Sequence, residues 1–303
     1  MNTLFFARIL AAGLIAISAM QAHAQRDFSK VEIKPEQLSD NLYLLTGAGG
    51  NMALFTGEDG AFMVDDQFAP LSEKILAVVS ELTDEPLRFV VNTHWHGDHT
   101  GGNENMGKAG ALVVAHENVR KRMSTEQFTK LWNRTTPPSP AAALPVITFT
   151  DATTFHWNGD EVRVQYVGPA HTDGDAIILF KKANVIHMGD TFFNGSYPYV
   201  DLSAGGSVDG VIENARRVLE LTDEQTKIIP GHGPLTDKKG LQQYHDLLVR
   251  LRGKIKTLVD AGNSREQVIA AKPTREFDAH YGQGFMKPDI WTGIVYDSLK
   301  QQQ

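Results

Sequence analysis

Short apolar runs, bounded by glycine, proline and polar turn residues, recur along the chain from residue 41 onward. This pattern is typical of buried β-strands. The segment LSEKILAVVSEL at 71–82 instead repeats its apolar residues at helical spacing, which predicts a helix. In the first half of the chain we predict strands at 41–46, 52–57, 61–66, 87–92 and 111–116, and a helical stretch after the last of these.

The second half continues in the same style with a different sequence. Because strands and helices occur on both sides of the middle, the pattern predicts one layered α/β domain. The Pro-rich segment PPSPAAALP at 137–145 is interpreted as a loop inside this domain, since polar motifs lie on both sides of it. We predict a hairpin over 148–168, strands at 176–180, 184–189 and 226–231, and helices at 210–221 and 241–262.

Composition and charge limit the classes of partner. The 303 residues are 42% hydrophobic and 21% charged, which is an ordinary globular balance. The formal net charge of −7 gives no electrostatic reason to bind nucleic acid or an anionic membrane. We therefore expect a small-molecule substrate, and the oligomeric state stays open.

The first 24 residues have the pattern of a cleaved secretory signal peptide. Arg8 precedes an apolar run from Ile9 to Ala19, and the small residues Ala22 and Ala24 mark a cleavage site. The run is shorter than the roughly 20 residues that a membrane-spanning helix needs. We predict removal of residues 1–24, a single domain over 25–303, no membrane contact after cleavage, and export to the periplasm.

The chain contains no cysteine. Disulfides and thiolate ligands are therefore absent from its chemistry. Any bound metal must be held by histidine and carboxylate side chains.

The segment NTHWHGDHTGG at 92–102 concentrates such side chains directly after an apolar run. His94 and His96 are two residues apart, so on an extended strand they share a face and can contact one metal ion. Gly97 permits a sharp turn that would bring Asp98 and His99 to a second position close by. The spacing therefore predicts two neighbouring metal positions.

Three further polar residues follow short apolar strands in the same way. They are His171 in YVGPAHTDGD, Asp190 in NVIHMGDTFF and His232 in KIIPGHGP. Each is near glycine or proline, as expected for ligands that loops present at the edge of a rigid sheet. Any one of them alone would be interpreted as a turn residue, but together with the cluster they indicate a site.

This set of motifs resembles the metal-binding pattern of the metallo-β-lactamase superfamily. The resemblance runs from the GAGGN turn at 47–51 to the PGHG motif, and it implies a four-layer αβ/βα sandwich with the site at one edge of two packed sheets. The ligands that it implies are His94, His96 and His171 for a first metal, Asp98, His99 and His232 for a second, and Asp190 as the bridge between them.

Five imidazoles and two carboxylates suit two Zn²⁺ ions best, and iron or manganese accept the same ligands. Zinc lowers the pKa of a bound water to about 7, which provides hydroxide near neutral pH. A hydroxide held between two metals is expected to attack an acyl carbon. Asp98, besides its role as a ligand, is the predicted catalytic residue that orients this water or accepts its proton.

The substrate is less closely defined. Many dedicated β-lactamases of the family have cysteine where Asp190 stands or lack a bridging ligand, and an aspartate there is similar to glyoxalase II and lactonase branches. We expect a hydrolase that opens a cyclic amide or ester, with a β-lactam as the first candidate. The alternatives are a lactonase, a thioesterase, a small-phosphodiester hydrolase, or a non-catalytic periplasmic metal-binding protein.

Residues around the metals are also predicted. The resemblance implies that Asp65 hydrogen-bonds a ligand histidine, although a turn or cap role is an alternative. Asn194 is a candidate donor to a substrate oxyanion, and Trp95 or Phe68 a candidate apolar wall. His116 is interpreted as a strand-end or cap residue. No lysine or arginine is placed by a motif to pair with a substrate carboxylate.

Overall fold

Two β-sheets form the centre of the structure, a computed structural model that describes residues 27–301. Residues 31–301 belong to one compact unit. The predicted signal peptide, 1–24, lies outside the described residues, and so does the predicted domain boundary at residue 25. Within the described part of the chain, no helix is both long and apolar enough to span a membrane.

The strands fall into a seven-stranded sheet, a six-stranded sheet and a separate two-stranded hairpin. In chain order they are β1 (Lys34–Ser39), β2 (Leu42–Thr46), β3 (Met52–Phe55), β4 (Ala61–Val64), β5 (Leu87–Val91), β6 (Leu112–His116), β7 (Gln127–Thr129), β8 (Arg134–Thr136), β9 (Ile147–Phe149), β10 (Ala152–Trp157), β11 (Asp160–Tyr166), β12 (Ala176–Phe180), β13 (Val185–His187), β14 (Lys227–Ile229) and β15 (Thr236–Asp237).

The first sheet has the order β1–β2–β3–β4–β5–β6–β9, and the second runs from β10 to β15 in chain order. The hairpin consists of β7 and β8. Strands β4, β5 and β6 are mutually parallel, as are β13 and β14. The carboxyl ends of parallel strands meet at one edge of a sheet, which is where the polar motifs of the sequence begin.

Helices follow the strands, and those predicted at 71–82, 210–221 and 241–262 are present. The α-helices are α1 (Ser72–Leu82), α2 (Gly97–Thr100), α3 (Asn103–Lys108), α4 (Glu117–Met123), α5 (Val208–Leu221), α6 (Lys238–Asp260), α7 (Arg265–Ala270), α8 (Asp278–Tyr281) and α9 (Pro288–Gln301). Short 3-10 helices occupy Ala69–Leu71, Lys130–Trp132, Ala141–Ala143, Gly189–Thr191 and Leu202–Ala204.

The two sheets pack face to face through alternating residues of their strands. Phe62 and Val64 of β4 share one apolar cluster with Ile178 and Phe180 of β12. The alternate residue Ile177 points to the other face of the second sheet, because successive strand side chains lie on opposite faces. It joins a cluster with residues of three helices, among them Val211 of α5, Leu248 of α6 and Trp291 of α9.

The outer face of the first sheet is covered as well. Met63 and Val90 are fully buried there, where α3 contacts β5 and β6 and α4 contacts β6. Helices therefore enclose both sheets, and the predicted four-layer αβ/βα sandwich is confirmed.

The chain after β6 differs in part from the prediction. His116 begins α4, and its Nδ1 accepts a hydrogen bond from the Asn118 backbone N–H at 3.3 Å. This is the capping role expected for it. The helical stretch then ends at Met123 and is followed by the β7–β8 hairpin, which the sequence pattern did not reveal because its strands are short and largely exposed.

Candidate metal centre

The cluster at 92–102 lies where β5 ends. His94 and His96 follow the strand, and His94 Nε2 is 3.1 Å from His96 Nδ1. The chain then forms α2, and one helical turn brings His99 back so that its ring centroid is 4.2 Å from that of His94. A Cβ on Gly97 would meet no atom within 4 Å, and the φ of this residue is not positive. The prediction that this turn depends on glycine is therefore wrong, because the chain forms an ordinary helical turn here.

The second sheet contributes the other three residues. His171 lies in the loop between β11 and β12, Asp190 in the 3-10 helix after β13, and His232 directly after β14. His171 Nε2 is 2.8 Å from His96 Nδ1 across the two sheets. His232 Nε2 is 3.4 Å from Asp190 Oδ2. The site thus spans the edges of both sheets.

Seven side chains form two groups of potential metal ligands, with the donor atoms of each group within 4.8 Å of one another. Asp190 joins the two groups, since its Oδ1 is 3.0 Å from His99 Nε2 and its Oδ2 is 3.5 Å from His171 Nε2. The first group is His94, His96, His171 and Asp190, and the second is Asp98, His99 and His232. The structure brings all the predicted ligands together, and their binding of metal stays a prediction.

Hydrogen bonds on the outer side of the rings determine which nitrogens carry protons. The Nδ1–H of His171 donates to the Tyr199 carbonyl at 2.7 Å. The Nε2–H of His96 donates to Asp201 Oδ2 at 3.0 Å. The inward nitrogens, His171 Nε2 and His96 Nδ1, therefore both present lone pairs.

The same logic applies to His94 and His99. Thr93 Oγ1 donates to Asp65 Oδ2 at 2.8 Å, so it accepts from His94 Nδ1–H at 3.0 Å. Asp65 Oδ2 also accepts from His99 Nδ1–H at 2.8 Å. The inward Nε2 atoms of both rings are left to offer lone pairs to a cation. The hydrogen bonds at Nδ1 therefore fix the tautomers that a metal site needs.

This arrangement fits divalent metal ions. Inward lone pairs of His94, His96 and His171 face one another at distances of 2.8–3.1 Å without a proton to share between them. Asp190 Oδ1 is buried, and its contact with His99 Nε2 at 3.0 Å lacks good hydrogen-bond geometry. Nitrogen and carboxylate donors in groups of this kind are the ligands that zinc prefers, and iron or manganese also accept them.

The protonation states agree with this fit. Burial lowers the pKa of His171 to about 4 and also lowers that of His94, so both rings are neutral near pH 7. Burial alone would raise the pKa of Asp190, but the charges of His232 and His99 outweigh it and hold that pKa well below its usual range. The carboxylate is therefore ionised.

In the second group, the carboxylates favour a nearby positive charge. Burial acts to lower the pKa of His232, but the Asp190 carboxylate overcomes this and raises it to about 9. Burial likewise opposes a raised pKa at His99, which Asp190, Asp98 and Asp65 nevertheless hold well above its ordinary value. A divalent cation satisfies the same carboxylates.

Two glycines let the backbone approach the site closely. A Cβ on Gly50 would overlap the His99 ring, and one on Gly231 would overlap Asp190 Oδ1. The GAGGN loop that carries Gly50 is also held firmly, since Gly50 N donates to Asp98 O at 3.1 Å and Gln67 Nε2 donates to Gly50 O at 2.6 Å. This loop therefore forms a fixed wall beside the second group.

The predicted substrate-contacting residues have other partners. Asn194 Nδ2 donates to the Pro234 carbonyl at 2.9 Å, so this amide is engaged within the protein. Trp95 is 7% exposed and packs in an apolar cluster, with its ring centroid 4.7 Å from that of His96, and its place in a pocket wall stays a prediction. Phe68 is partly buried and precedes the 3-10 helix Ala69–Leu71.

Three residues at the site were not identified from the sequence: Thr93, Tyr199 and Asp201. Asp201 is 105 positions from His96 and lies outside any strand, so no local pattern connects the two. Its Oδ1 also accepts from the backbone N–H of Ser203 at 3.0 Å, which fixes the carboxylate. An aspartate within a Gly- and aromatic-rich segment was the one signal that the sequence offered.

Replacement of Asp201 by alanine is expected to weaken metal binding at the first group about 10- to 100-fold, because His96 loses the acceptor that fixes its tautomer. Asp201→Asn keeps the size and a carbonyl acceptor, so its effect should be intermediate. The dissociation constant for Zn²⁺ is measured by competition with a chromophoric chelator. Asp209→Asn, at a partly exposed pair with Arg252, is the control. Unchanged affinity in Asp201→Ala would contradict this role.

Comparison with known proteins agrees with the geometry. The sequence model of the metallo-beta-lactamase superfamily matches residues 45–232. The chain is 25% identical over 205 residues to the 2,4-dinitroanisole O-demethylase subunit alpha of a Nocardioides species, covering 65% of this chain and 56% of that protein. It is 25% identical over 150 residues to a hydroxyacylglutathione hydrolase of Pelagibacter ubique, covering 48% and 52%. The chain thus spans about half the length of these relatives.

Solved structures share the fold at low sequence identity. A metallo-beta-lactamase from Pontibacter korlensis superposes with a TM-score of 0.60 at 20% identity, covering 72% of this chain and 99% of that one. The sec-alkylsulfatase Pisa1 from a Pseudomonas species gives a TM-score of 0.65 at 18% identity, covering 88% and 50%. These similarities concern the fold alone.

Proposed function

This chain belongs to the metallo-β-lactamase superfamily, and on that premise we propose that it is a dinuclear metallohydrolase that opens a cyclic amide or ester, with a β-lactam or lactone ring as the substrate. The observation that carries the proposal is the position of Asp190. Its Oδ1 is 3.0 Å from His99 of the second group, and its Oδ2 lies between His171 of the first group, at 3.5 Å, and His232 of the second, at 3.4 Å. A carboxylate so placed can bridge two cations.

Divalent cations bound there supply a Lewis acid for a carbonyl oxygen and make a coordinated water more acidic. The residues of the chain would hold these cations and orient the water. Asp98 is 29% exposed, with Oδ2 3.3 Å from His232 Nε2. Burial opposes ionisation, but the charge of His99 dominates and keeps the pKa of Asp98 well below its ordinary value. Asp98 is therefore an ionised carboxylate at the open side that is suited to orient water, whereas its lowered pKa makes it a weak acceptor for the proton of that water.

An acyl substrate is favoured over a phosphodiester in nucleic acid. The net charge of −7 opposes long polyanions. One relative is named as a hydroxyacylglutathione hydrolase, which is consistent with acyl chemistry. The other is named as a subunit that demethylates 2,4-dinitroanisole, so an aryl methyl ether belongs in the set of substrates to be tested.

The proposal is tested by metal analysis and a substrate panel. We expect the purified protein to bind divalent metal, to hydrolyse nitrocefin or an acyl lactone, to lose this activity on chelation and to regain it with Zn²⁺. The panel also contains a thioester, a small phosphodiester and an aryl methyl ether. His171→Ala should abolish turnover, whereas His245→Ala, on α6 beside Asp246, should leave it unchanged. Two bound metals without turnover of any substrate would instead support a metal-binding protein.

A further inference from the structure

Three aromatic side chains from distant segments meet beside the metal centre. They are Tyr199, Trp132 and Phe285, here called the aromatic ledge. The ring centroids of Trp132 and Tyr199 are 6.1 Å apart, and those of Trp132 and Phe285 are 5.3 Å apart. Neither pair lies on one element, since Trp132 is in the turn of the β7–β8 hairpin and Phe285 is between α8 and α9.

The ledge starts at the metal centre and leads outward. The Tyr199 ring stacks on His96 with centroids 5.8 Å apart and an interplanar angle of 26°. Exposure then increases from 9% at Tyr199 to 39% at Trp132 and 69% at Phe285. The ledge is thus a continuous aromatic surface from a predicted ligand to solvent.

The hairpin that presents Trp132 is fixed to the site on two sides. The Lys130 backbone N–H donates to Ser203 Oγ at 3.1 Å, in the 3-10 helix that follows Asp201. Arg122 of α4 donates to Gln127 Oε1 in β7 at 2.9 Å and to both oxygens of Asp173, at 2.6 and 2.7 Å, two residues after His171. These contacts position Trp132 relative to the metal centre, as a specific binding surface requires.

The size of the exposed surface indicates the kind of occupant. A stable protein interface needs about 800 Å² on each partner, whereas one aromatic ring buries roughly 150–250 Å² in total. Trp132 and Phe285 together expose parts of two rings. Such a surface suits one planar group of a small molecule. The planes of the Trp132 and Phe285 rings are 42° apart, so a guest meets one ring by its face and the other by its edge, which favours an aromatic group.

We propose that the aromatic ledge binds an aromatic substituent of the substrate, which holds the scissile acyl bond at the metal centre. This inference rests on the proposed hydrolase function and adds the substrate class: esters, lactones or amides with an aryl side chain. Because the ledge contributes binding and no chemistry, its removal should raise KM and leave kcat nearly unchanged.

The kinetic test compares two cyclic esters, N-phenylacetyl-homoserine lactone (the phenyl ester) and N-acetyl-homoserine lactone (the acetyl ester). Trp132→Ala and Phe285→Ala should each raise KM for the phenyl ester about three- to tenfold, as expected for loss of one aromatic contact, with no change for the acetyl ester. Phe128→Ala is the matched control, because Phe128 is 55% exposed on the same hairpin but lies outside the ledge. Equal losses for both esters, or for all three variants, would overturn the proposal.

A binding test separates this inference from the proposed function. Ligand-observed NMR with the purified protein should detect binding of phenylacetamide, which Trp132→Ala weakens and Phe128→Ala does not. Cyclohexylacetamide should bind more weakly, and equal binding would overturn the preference for an aromatic guest. Phenylacetamide binding that does not depend on Trp132 would overturn the ledge itself. Ledge-dependent binding without hydrolysis of any substrate would refute only the hydrolase function.

Discussion

Asp190→Asn is expected to lower both metal content and hydrolysis more than any other conservative change in this protein. The carboxylate is 5% exposed and lies between two ligand groups. Replacement of residues that merely orient ligands costs about 10- to 100-fold in metal affinity, so loss of a shared ligand charge should cost at least about 100-fold. Hydrolysis should fall with the metal.

Asparagine is the suitable replacement because the site has no spare volume. Gly231 lies so close to Asp190 Oδ1 that even a Cβ would not fit between them. Metal content after equilibrium dialysis and kcat/KM for the best panel substrate are the measurements, with Asp209→Asn as a control for loss of a carboxylate elsewhere. Full metal content with unchanged hydrolysis would show that Asp190 does not bridge two cations.

Asp65→Ala is expected to destabilise the protein and to weaken metal binding together. Its carboxylate is fully buried and accepts from Thr93 N, Thr93 Oγ1 and His99 Nδ1, each at 2.8 Å. Each buried donor left without a partner costs about 1–3 kcal/mol, so the free energy of unfolding should fall by about 3 kcal/mol or more. His99 also loses the contact that fixes its tautomer.

The neighbouring residue gives a matched control. Asp66 is also fully buried, but its Oδ1 accepts only from the Gly102 N–H at 2.8 Å and its Oδ2 makes no hydrogen bond. Burial raises the pKa of Asp66 well above its usual range and so disfavours its charged form, and Asp66→Asn should therefore change little.

Backbone conformation adds a second comparison at position 65. Asp65 has φ of 58°, which asparagine tolerates better than alanine. Asp65→Asn should therefore be milder than Asp65→Ala. Urea denaturation and Zn²⁺ competition provide the two measurements. If Asp65→Ala and Asp66→Asn were equally stable and bound zinc equally well, Asp65 would be no more than a turn residue.

The regular elements could be predicted because apolar periodicity reports burial on one face. AIILF and LRFVV are short apolar runs between turn signals, and they form β12 and β5. The positions of the predicted metal ligands could be found from the sequence for a related reason. His94, His171 and His232 follow such runs, and ends of neighbouring strands are brought together by the sheet itself.

Contacts between irregular segments could not be predicted in this way. The Asp201 contact with His96 joins residues 105 positions apart, and Trp132 meets Phe285 through loops that no periodicity describes. The side-chain roles assigned to Asn194 and Trp95 depended on orientation, which composition does not determine. Their partners, the Pro234 carbonyl and an apolar cluster, are known only from the folded chain.

Within residues 27–301, the chain passes from the first sheet to the second only once, at the exposed residues Thr150 and Asp151. Four of the seven potential ligands precede this crossing and three follow it. A polypeptide split there would give two fragments that each hold an incomplete ligand set. A metal held by ligands from both fragments would favour the assembled state, and its affinity would then add to the association of the fragments. Reassembly of a split protein would then become a readout of metal in its surroundings.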